Sequence, residues 1–516
     1  MVANNLIMKD SVGEIKSKKI VERNYSGIVL YLVVIVSLAS FSPPEEKVKK
    51  YNVLFIAVDD LRPDIGAYGN PLIKTPNMDR LANSGSLFQN HYVQVPTCGA
   101  SRCSMLTGLL PKTSRHLGNS AFEDFVANEP EKDVPESMVH HFRRNGYYTV
   151  GIGKISHSVD GLLYGYEESP EGTKPEMPHS WNEFLFDSDK WGTGWNAFFG
   201  YADGSNRQSK NNQVKPYEKA DVSDRGYPDG ITADLATEKI RELAEKDQPF
   251  FLGVGFFKPH LPFNSPKKYW DMYRREDLPL SPVPDIPENI HKASLQLMGE
   301  FNSYKAGDEM ANLDKQLSDE YAGKLRHAYY ASVSYVDAQI GKVLDELEHL
   351  GLADNTIVVL WGDHGWHLGD HRVWGKHTNF EVALRSPLII RVPGMEPRKI
   401  GDGAVVSSVD LYPSLMEWCG IPVDFPLDGQ SLVNLVKNGG DPDRENLSFS
   451  YFNKGISVRN ERYRLTRYFR EQIPIIELYD HQNDSLESKN IAEMNPHIVE
   501  LLIPFWEKGN TGLFDQ

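Results

Sequence analysis

Four short apolar runs along this chain end in the same way. Val53-Leu-Phe-Ile-Ala-Val58 leads into Asp59 and Asp60, and Tyr148-Thr-Val-Gly-Ile152 into Lys154 and His157. Phe250-Phe-Leu-Gly-Val-Gly-Phe256 leads into Lys258 and His260, and Thr356-Ile-Val-Val-Leu-Trp361 into Asp363 and His364. Continuous apolar runs of this length suit strands buried on both faces. In open α/β sheets, ligands bind beyond the carboxyl ends of the strands. Four strands that each deliver polar groups after their last apolar residue predict one shared site.

Helical spacing separates these runs. Ile231 to Lys246 and Arg326 to Leu350 carry it, the second with Val333, Val336, Ile340, Val343, Leu344 and Leu347 on one stripe. Asn77 to Ser84 predicts a further helix, with Pro76 near its start. Strands alternating with helices predict an α/β sandwich around a largely parallel sheet. Residues 158–230 and 262–320, rich in Gly, Pro, Asn, Asp and Ser, read as long loops of the kind that shape binding sites. From about Arg444 the pattern changes to short alternating strands, Leu447–Tyr451, Gly455–Val458, Tyr463–Tyr468 and Glu477–Tyr479, and a helix at Pro496–Trp506. The expected organisation is a leader at 1–46, a catalytic domain at 47–440 and a C-terminal subdomain at 441–516.

Composition narrows the functional classes. The 516 residues are 40% hydrophobic and 24% charged, enough for one large core and a smaller appended domain. A net charge of −16 without a basic run argues against nucleic acid as a partner. It does not exclude an anionic substrate, because a local cationic pocket suffices. Three cysteines, Cys98, Cys103 and Cys419, cannot build a disulfide framework, and no bridge is expected. Gly27 to Phe41 is apolar, follows Lys16, Lys18, Lys19 and Arg23, and is short for a membrane span. It reads as a secretory signal with a cleavage site near Ser37-Leu38-Ala39, a retained signal anchor being the alternative. The expectation is a secreted or periplasmic protein without a stable membrane span.

The strand-end residues carry recognisable chemistry. Adjacent carboxylates such as Asp59-Asp60 repel unless a cation compensates them. A second pair, Asp363-His364, strengthens the case for a divalent metal site. Oxygen donors favour Ca2+ or Mg2+, and the histidine admits Zn2+ or Mn2+. Lys154, His157, Lys258, His260 and Lys376 are individually the kind of residue that is solvated or structural. Together they supply ammonium groups to hold an oxyanion and imidazoles to move protons. Cys98 enters a helix with Gly99, Ala100 and Ser101 behind it and Arg102 beyond. A buried structural thiol, a reactive thiolate and a modified cysteine are all compatible with that setting.

The run Cys98-Gly99-Ala100-Ser101-Arg102, followed by Thr107-Gly108, resembles the signature of type I, formylglycine-dependent sulfatases of the alkaline phosphatase-like superfamily. Asn52 to Pro63, Phe257 to Phe263, Tyr330 to Tyr335 and Gly362 to Trp366 extend the likeness, which is greatest to the iduronate-2-sulfatase branch. It covers the chain from about Tyr51 into the C-terminal part. The resemblance implies a sandwich with a large mixed, mostly parallel central sheet flanked by helices. A small C-terminal domain with an antiparallel sheet and a helix would complete the fold.

The resemblance also implies roles. A maturation enzyme would convert Cys98 to formylglycine, whose hydrate attacks sulfur. Ca2+ would be held by Asp59, Asp60, Asp363, His364 and the modified Cys98. His260, with Lys258 nearby, would protonate the leaving sugar oxygen, and His157 would help eject sulfate. Lys154, Lys376 and Arg102 would position the sulfate and the nucleophile, with Trp366 and His371 beside the sugar. The substrate would be a sulfated carbohydrate, such as a glycosaminoglycan or ulvan, with a 2-O-sulfated uronic acid as one candidate. Ala100 departs from the proline of many members. Trp181, Trp191 and Trp195 either stack on sugars or pin a loop, and Arg207 and Lys210 either read a carboxylate or are solvated. Two other classes stay open: a phosphatase or phosphodiesterase of the same superfamily, and a non-catalytic sulfated-glycan-binding protein. The second is disfavoured because no nucleophile, metal ligand or lysine of the set is missing.

Overall fold

Among the described residues, eight strands form the central sheet: β1 (Asn52–Val58), β2 (Ser86–Phe88), β3 (Tyr148–Gly153), β4 (Glu183–Leu185), β5 (Phe250–Phe256), β6 (Thr356–Gly362), β7 (Leu388–Arg391) and β8 (Arg398–Ile400). Their spatial order is β8-β2-β7-β6-β1-β5-β3-β4. β7 alone runs antiparallel to its neighbours, so the sheet is mixed and mostly parallel. The structure, a computed structural model, describes residues 50–125, 136–401 and 403–514. The leader expected at 1–46 lies outside the described residues. Among those described, no helix is long and apolar enough to cross a membrane.

The apolar runs form strands because both of their faces are covered. Leu54, Ile56 and Val58 of β1 pack into one core layer, and Val53, Phe55 and Ala57 into the other. The flanking helices include α1 (Pro76–Asn83), α2 (Cys98–Thr107), α3 (Pro228–Ala244) and α4 (Asp319–His349). Ser318 caps α4 by accepting the Tyr321 N–H, and Asp319 and Glu320 complement its N-terminal dipole. The stripe from Val333 to Leu347 is buried against the sheet, each side chain contributing about 1.5–3 kcal/mol of transfer free energy. Residues 158–230 and 262–320 carry mostly short elements, among them Gly194–Phe198 and Gly299–Asn302, together with the start of α3 and of α4.

The C-terminal strands β9 (Ser448–Phe452), β10 (Gly455–Arg459), β11 (Tyr463–Tyr468) and β12 (Ile475–Asp480) pair antiparallel in sequence order. Helix α5 (Pro496–Glu507) lays Val499, Leu502 and Trp506 on this sheet. Arg464 of β11 is buried between Glu487, at 2.6 Å, and Glu381, at 2.5 Å. That ion cluster ties the second sheet to the segment following β6. The three cysteines are free and buried.

Candidate active site

The backbone ladder continues one residue past β1, β3 and β6 and so fixes the first polar residue of each. Asp59 N donates to Phe256 O at 3.3 Å, Asp363 N to Val58 O at 3.2 Å, and Lys154 N to Gly255 O at 3.1 Å. Gly255 permits this approach, since a Cβ there would lie 2.1 Å from the Lys154 carbonyl. Asp60 takes a left-handed φ of 57°. Such a conformation persists in a non-glycine residue only when its surroundings hold it. Tyr329 of α4 donates to its carbonyl at 2.7 Å, and its N–H donates to Asp363 Oδ1 at 3.0 Å.

Cys98 is the first residue of α2 and is buried. Its Sγ lies 3.3 Å from His364 Nε2 and 3.4 Å from Lys376 Nζ. Gly99 is required beside it, because a Cβ would sit 2.5 Å from Asn119 O. Asp59, Cys98, Asp363 and His364 offer ligand atoms within 4.8 Å of one another, and Asp60, Cys98 and His260 do likewise. Asp59 Oδ1 is buried with no hydrogen-bond partner. This buried, oxygen-rich set with an unused carboxylate atom fits a hard divalent cation.

Basic groups surround the carboxylates. Lys154 Nζ reaches Asp59 Oδ2 at 2.5 Å, and Lys376 Nζ reaches Asp60 Oδ1 at 3.1 Å. Arg102 donates through Nε to Asp363 Oδ2 at 2.9 Å and lies 3.7 Å from Asp59. Burial opposes ionisation of Asp59, but Lys154, His260 and Arg102 overcome it and hold its pKa well below the usual range. For Asp60, burial outweighs Lys376 and His364 and pushes the pKa well up. Burial and Asp59 raise Asp363 as well. Burial and the Asp59 charge push the Cys98 thiol up to about 12, which makes the unmodified side chain a weak nucleophile. Burial and Lys154 drive His157 well below its ordinary value, towards a neutral base.

A cavity of about 500 Å³ opens over this centre, with Cys98, Lys154, His157, His260 and Lys376 in its wall. The other residues expected at the site sit elsewhere. Arg102 braces Asp59 and Asp363 from behind. Lys258 turns its ammonium to the carbonyls of His260, at 3.0 Å, and Pro262, at 2.6 Å, and so holds the loop that carries His260. Trp366 lies beneath Lys376, whose Nζ is 5.1 Å from its ring centroid. His371 bonds Leu486 O at 2.8 Å and packs on Phe380, away from the cavity. Trp191 and Trp195 donate their indole N–H groups to the carbonyls of Tyr201 and Tyr164, each at 3.0 Å, and Trp181 packs on Phe184 and Phe251. The tryptophans therefore fasten the loop. Lys210 is exposed, whereas Arg207 lines the cavity.

Sequence reasoning missed Glu300. Its Oε1 lies 2.9 Å from His260 Nε2, and its Oε2 lies 3.4 Å from Lys376 Nζ. Burial opposes its ionisation, but Lys376 and His260 hold its pKa well below the ordinary value. Phe198, Phe199 and Tyr166, also unforeseen, form the aromatic side of the cavity.

Comparison with known proteins places this site in context. The sulfatase family model matches residues 51–421, and the model of the N-sulphoglucosamine sulphohydrolase C-terminal region matches 369–506. The chain is 33% identical to iduronate 2-sulfatase of Mus musculus over 365 residues, covering 70% of this chain and 62% of that protein. It is 32% identical over 476 residues to a sulfatase of Formosa agariphila, covering 87% and 84% respectively. Among solved structures, the phosphonate monoester hydrolase of Agrobacterium radiobacter superposes with a TM-score of 0.71 at 25% identity, over 89% of this chain and 96% of that one.

Proposed function

The chain belongs to the sulfatase family, and from that premise we propose that it hydrolyses sulfate esters of carbohydrates. The observation that carries this reading is the setting of Cys98. Its Sγ sits between His364 and Lys376, beside three buried aspartates, in the wall of a cavity that also presents Lys154 and two histidines. The sulfur stands where the oxygen nucleophile of a formylglycine hydrate would stand. Formylglycine, made from Cys98 by a maturation enzyme, supplies that nucleophile towards sulfur. A divalent cation, Ca2+ on this donor set, would be held by Asp59, Asp60, Asp363, His364 and residue 98, and would neutralise charge on the sulfate.

The remaining steps fall to side chains of the chain itself. Lys154 and Lys376 hold sulfate oxygens through charge-assisted hydrogen bonds. His260 protonates the departing sugar oxygen, with Glu300 keeping a proton at Nε2. His157, neutral in its buried setting, takes a proton from the nucleophile side. Arg102 and Lys258 act at one remove: Arg102 fixes the carboxylates, and Lys258 fixes the His260 loop. Trp366 supports Lys376 from below.

The proposed substrates are sulfated poly- or oligosaccharides, including 2-O-sulfated uronic acids and ulvan-type sugars, met in a secreted or periplasmic setting. The likeness to iduronate 2-sulfatase supports a sugar sulfate, although the match spans 62% of that enzyme's length. Incubation with defined sulfated oligosaccharides, followed by mass and position analysis of the products, tests this reading. The likeness to a phosphonate monoester hydrolase favours a second reading, hydrolysis of phosphate or phosphonate monoesters. Matched aryl sulfate and aryl phosphate rates separate the two, and dominant phosphate turnover would overturn the first.

A further inference from the structure

Resting on the reading that this cavity hydrolyses sulfate esters, we propose that Arg207 and Gln208 form a subsite for a second anionic group on the sugar that carries the sulfate. Among the described residues, Arg207 is a cation without an acid. Its guanidinium carbon lies 3.7 Å from the Phe199 ring centroid and 5.5 Å from that of Tyr304. Nη1 donates to Ser303 Oγ at 3.2 Å, and the buried Nε has no hydrogen-bond partner. No carboxylate among the described residues lies within ion-pair distance of it. Next to it, both amide atoms of Gln208 are buried and unpartnered.

Such groups are costly to leave unsatisfied, and native proteins rarely do so without a ligand or a water in view. Aromatic faces offset the charge of Arg207 but leave its in-plane Nε donor unused. A carboxylate or sulfate matches that fork, whereas a hydroxyl answers one donor at most. The loop is built to hold it there. Arg207 N donates to Phe199 O at 3.3 Å, Asn212 N to Arg207 O at 2.9 Å, and Lys305 N to Asn212 O at 2.9 Å.

The subsite shares the cavity with the reacting centre. Arg207, Gln208, Cys98 and His260 all line it. One ring separates the two ends: Phe199 carries the guanidinium on its face, and its centroid is 6.4 Å from that of His260. One ligand can therefore place an anion at Arg207 and another at the Lys154–Lys376 pair.

The test compares kcat/KM within matched pairs. One arm sets sulfated uronosides against their carboxyl-reduced counterparts, and the other sets disulfated against monosulfated hexosides. A plain aryl sulfate reports on the parent reaction. The wild-type protein is expected to favour the doubly anionic member of at least one arm by about tenfold or more. Arg207→Gln should bring that ratio to about one, and the arm in which it falls identifies carboxylate or sulfate. Wild-type ratios near one in both arms, or ratios that survive Arg207→Gln, overturn the subsite. Should that variant fail to fold, Gln208→Leu is read in the same way, a lowered ratio supporting the subsite and an unchanged one overturning it. Aryl sulfate turnover without a preference in either arm refutes the subsite alone. Absence of turnover on every sulfate ester refutes the parent reading, and the subsite falls with it.

Discussion

Replacing Glu300 with Gln removes one charge from the candidate site and keeps its shape. His260 Nδ1 lies 2.6 Å from the carbonyl of Leu261, which can only accept. Nε2 lies 2.9 Å from the carboxylate of Glu300, which also only accepts. Both ring nitrogens thus face acceptors, and the arrangement asks for a proton on each. Burial and Lys376 pull the imidazole the other way, to about 4, against Asp59 and Glu300. In Glu300→Gln that opposition weakens, and the amide can donate to Nε2, which leaves the ring neutral. One hydrogen bond to a charged group contributes about 1.5–3 kcal/mol. The Glu300 side chain is 21% exposed, so the lower half of that range applies. The expected loss in kcat/KM is about 10- to 45-fold on sugar sulfates. Proton donation matters most for alkoxide leaving groups and least for activated phenolates. A series of aryl sulfates of graded leaving-group pKa, with one sugar sulfate added, should show a steeper dependence in the variant. An equal loss across the whole series, or none on the sugar sulfate, refutes Glu300 and His260 as the acid pair.

Three further outcomes follow from other parts of the molecule. Chelation of divalent cations should abolish turnover and lower the melting temperature, because Lys154, Lys376 and Arg102 alone compensate Asp59, Asp60 and Asp363 only in part. Binding at 100 times Kd is worth about 2.7 kcal/mol, and identical melting curves with calcium and with chelator would count against the site. Arg464→Met removes the two shortest ion pairs of the junction between the sheets and leaves Glu381 with Arg459 at 3.4 Å and Glu487 with His481 at 3.0 Å. Urea unfolding should report a loss of about 1.5–3 kcal/mol, and a loss near zero would contradict the ion cluster as a tie. Burial, only partly offset by Ser294, Tyr479 and Arg470, raises Glu477 to about 7. A carboxyl whose folded pKa exceeds its unfolded value stabilises fully below the unfolded pKa, and that contribution is lost as pH rises to the folded one. The wild-type protein should therefore lose up to about 3 kcal/mol between pH 4.5 and 7 that Glu477→Gln does not lose. Parallel pH profiles of stability for the two proteins would refute this.

Much of this architecture was legible because strand ends are written plainly in the chain. Continuous apolar runs that stop at Asp59, Lys154 and Asp363 mark both the strand and the direction in which it points. The C-terminal strands and α5 were legible for the same reason, through alternation and turn residues. Glu300 left no such mark. It sits in a stretch where neighbouring residues share no periodicity, and the fold alone brings it to His260. Lys258 shows the converse. Its residue type and spacing matched a sulfate holder, yet its ammonium is taken up by two loop carbonyls. Trp366 and His371 follow the Asp363-His364 pair closely in sequence. One packs beneath Lys376, and the chain carries the other away through a left-handed turn at Gly369, His371 and Arg372. Side-chain direction in loops depends on contacts distant in sequence, and composition does not encode those.

Under the proposed function, residue 98, matured from cysteine, is the nucleophile of a sulfate ester hydrolase. The most direct measurement pairs intact peptide mass with sulfate release, for the wild-type protein and for Cys98→Ala, both produced with a maturation enzyme. The wild-type peptide spanning residue 98 should be about 18 Da lighter than its sequence mass and should accompany release of sulfate from a sulfated saccharide. Cys98→Ala should melt like the wild type and release sulfate at least about a thousandfold more slowly. An unmodified Cys98 in a fully active protein, or equal sulfate release by Cys98→Ala, would contradict the account.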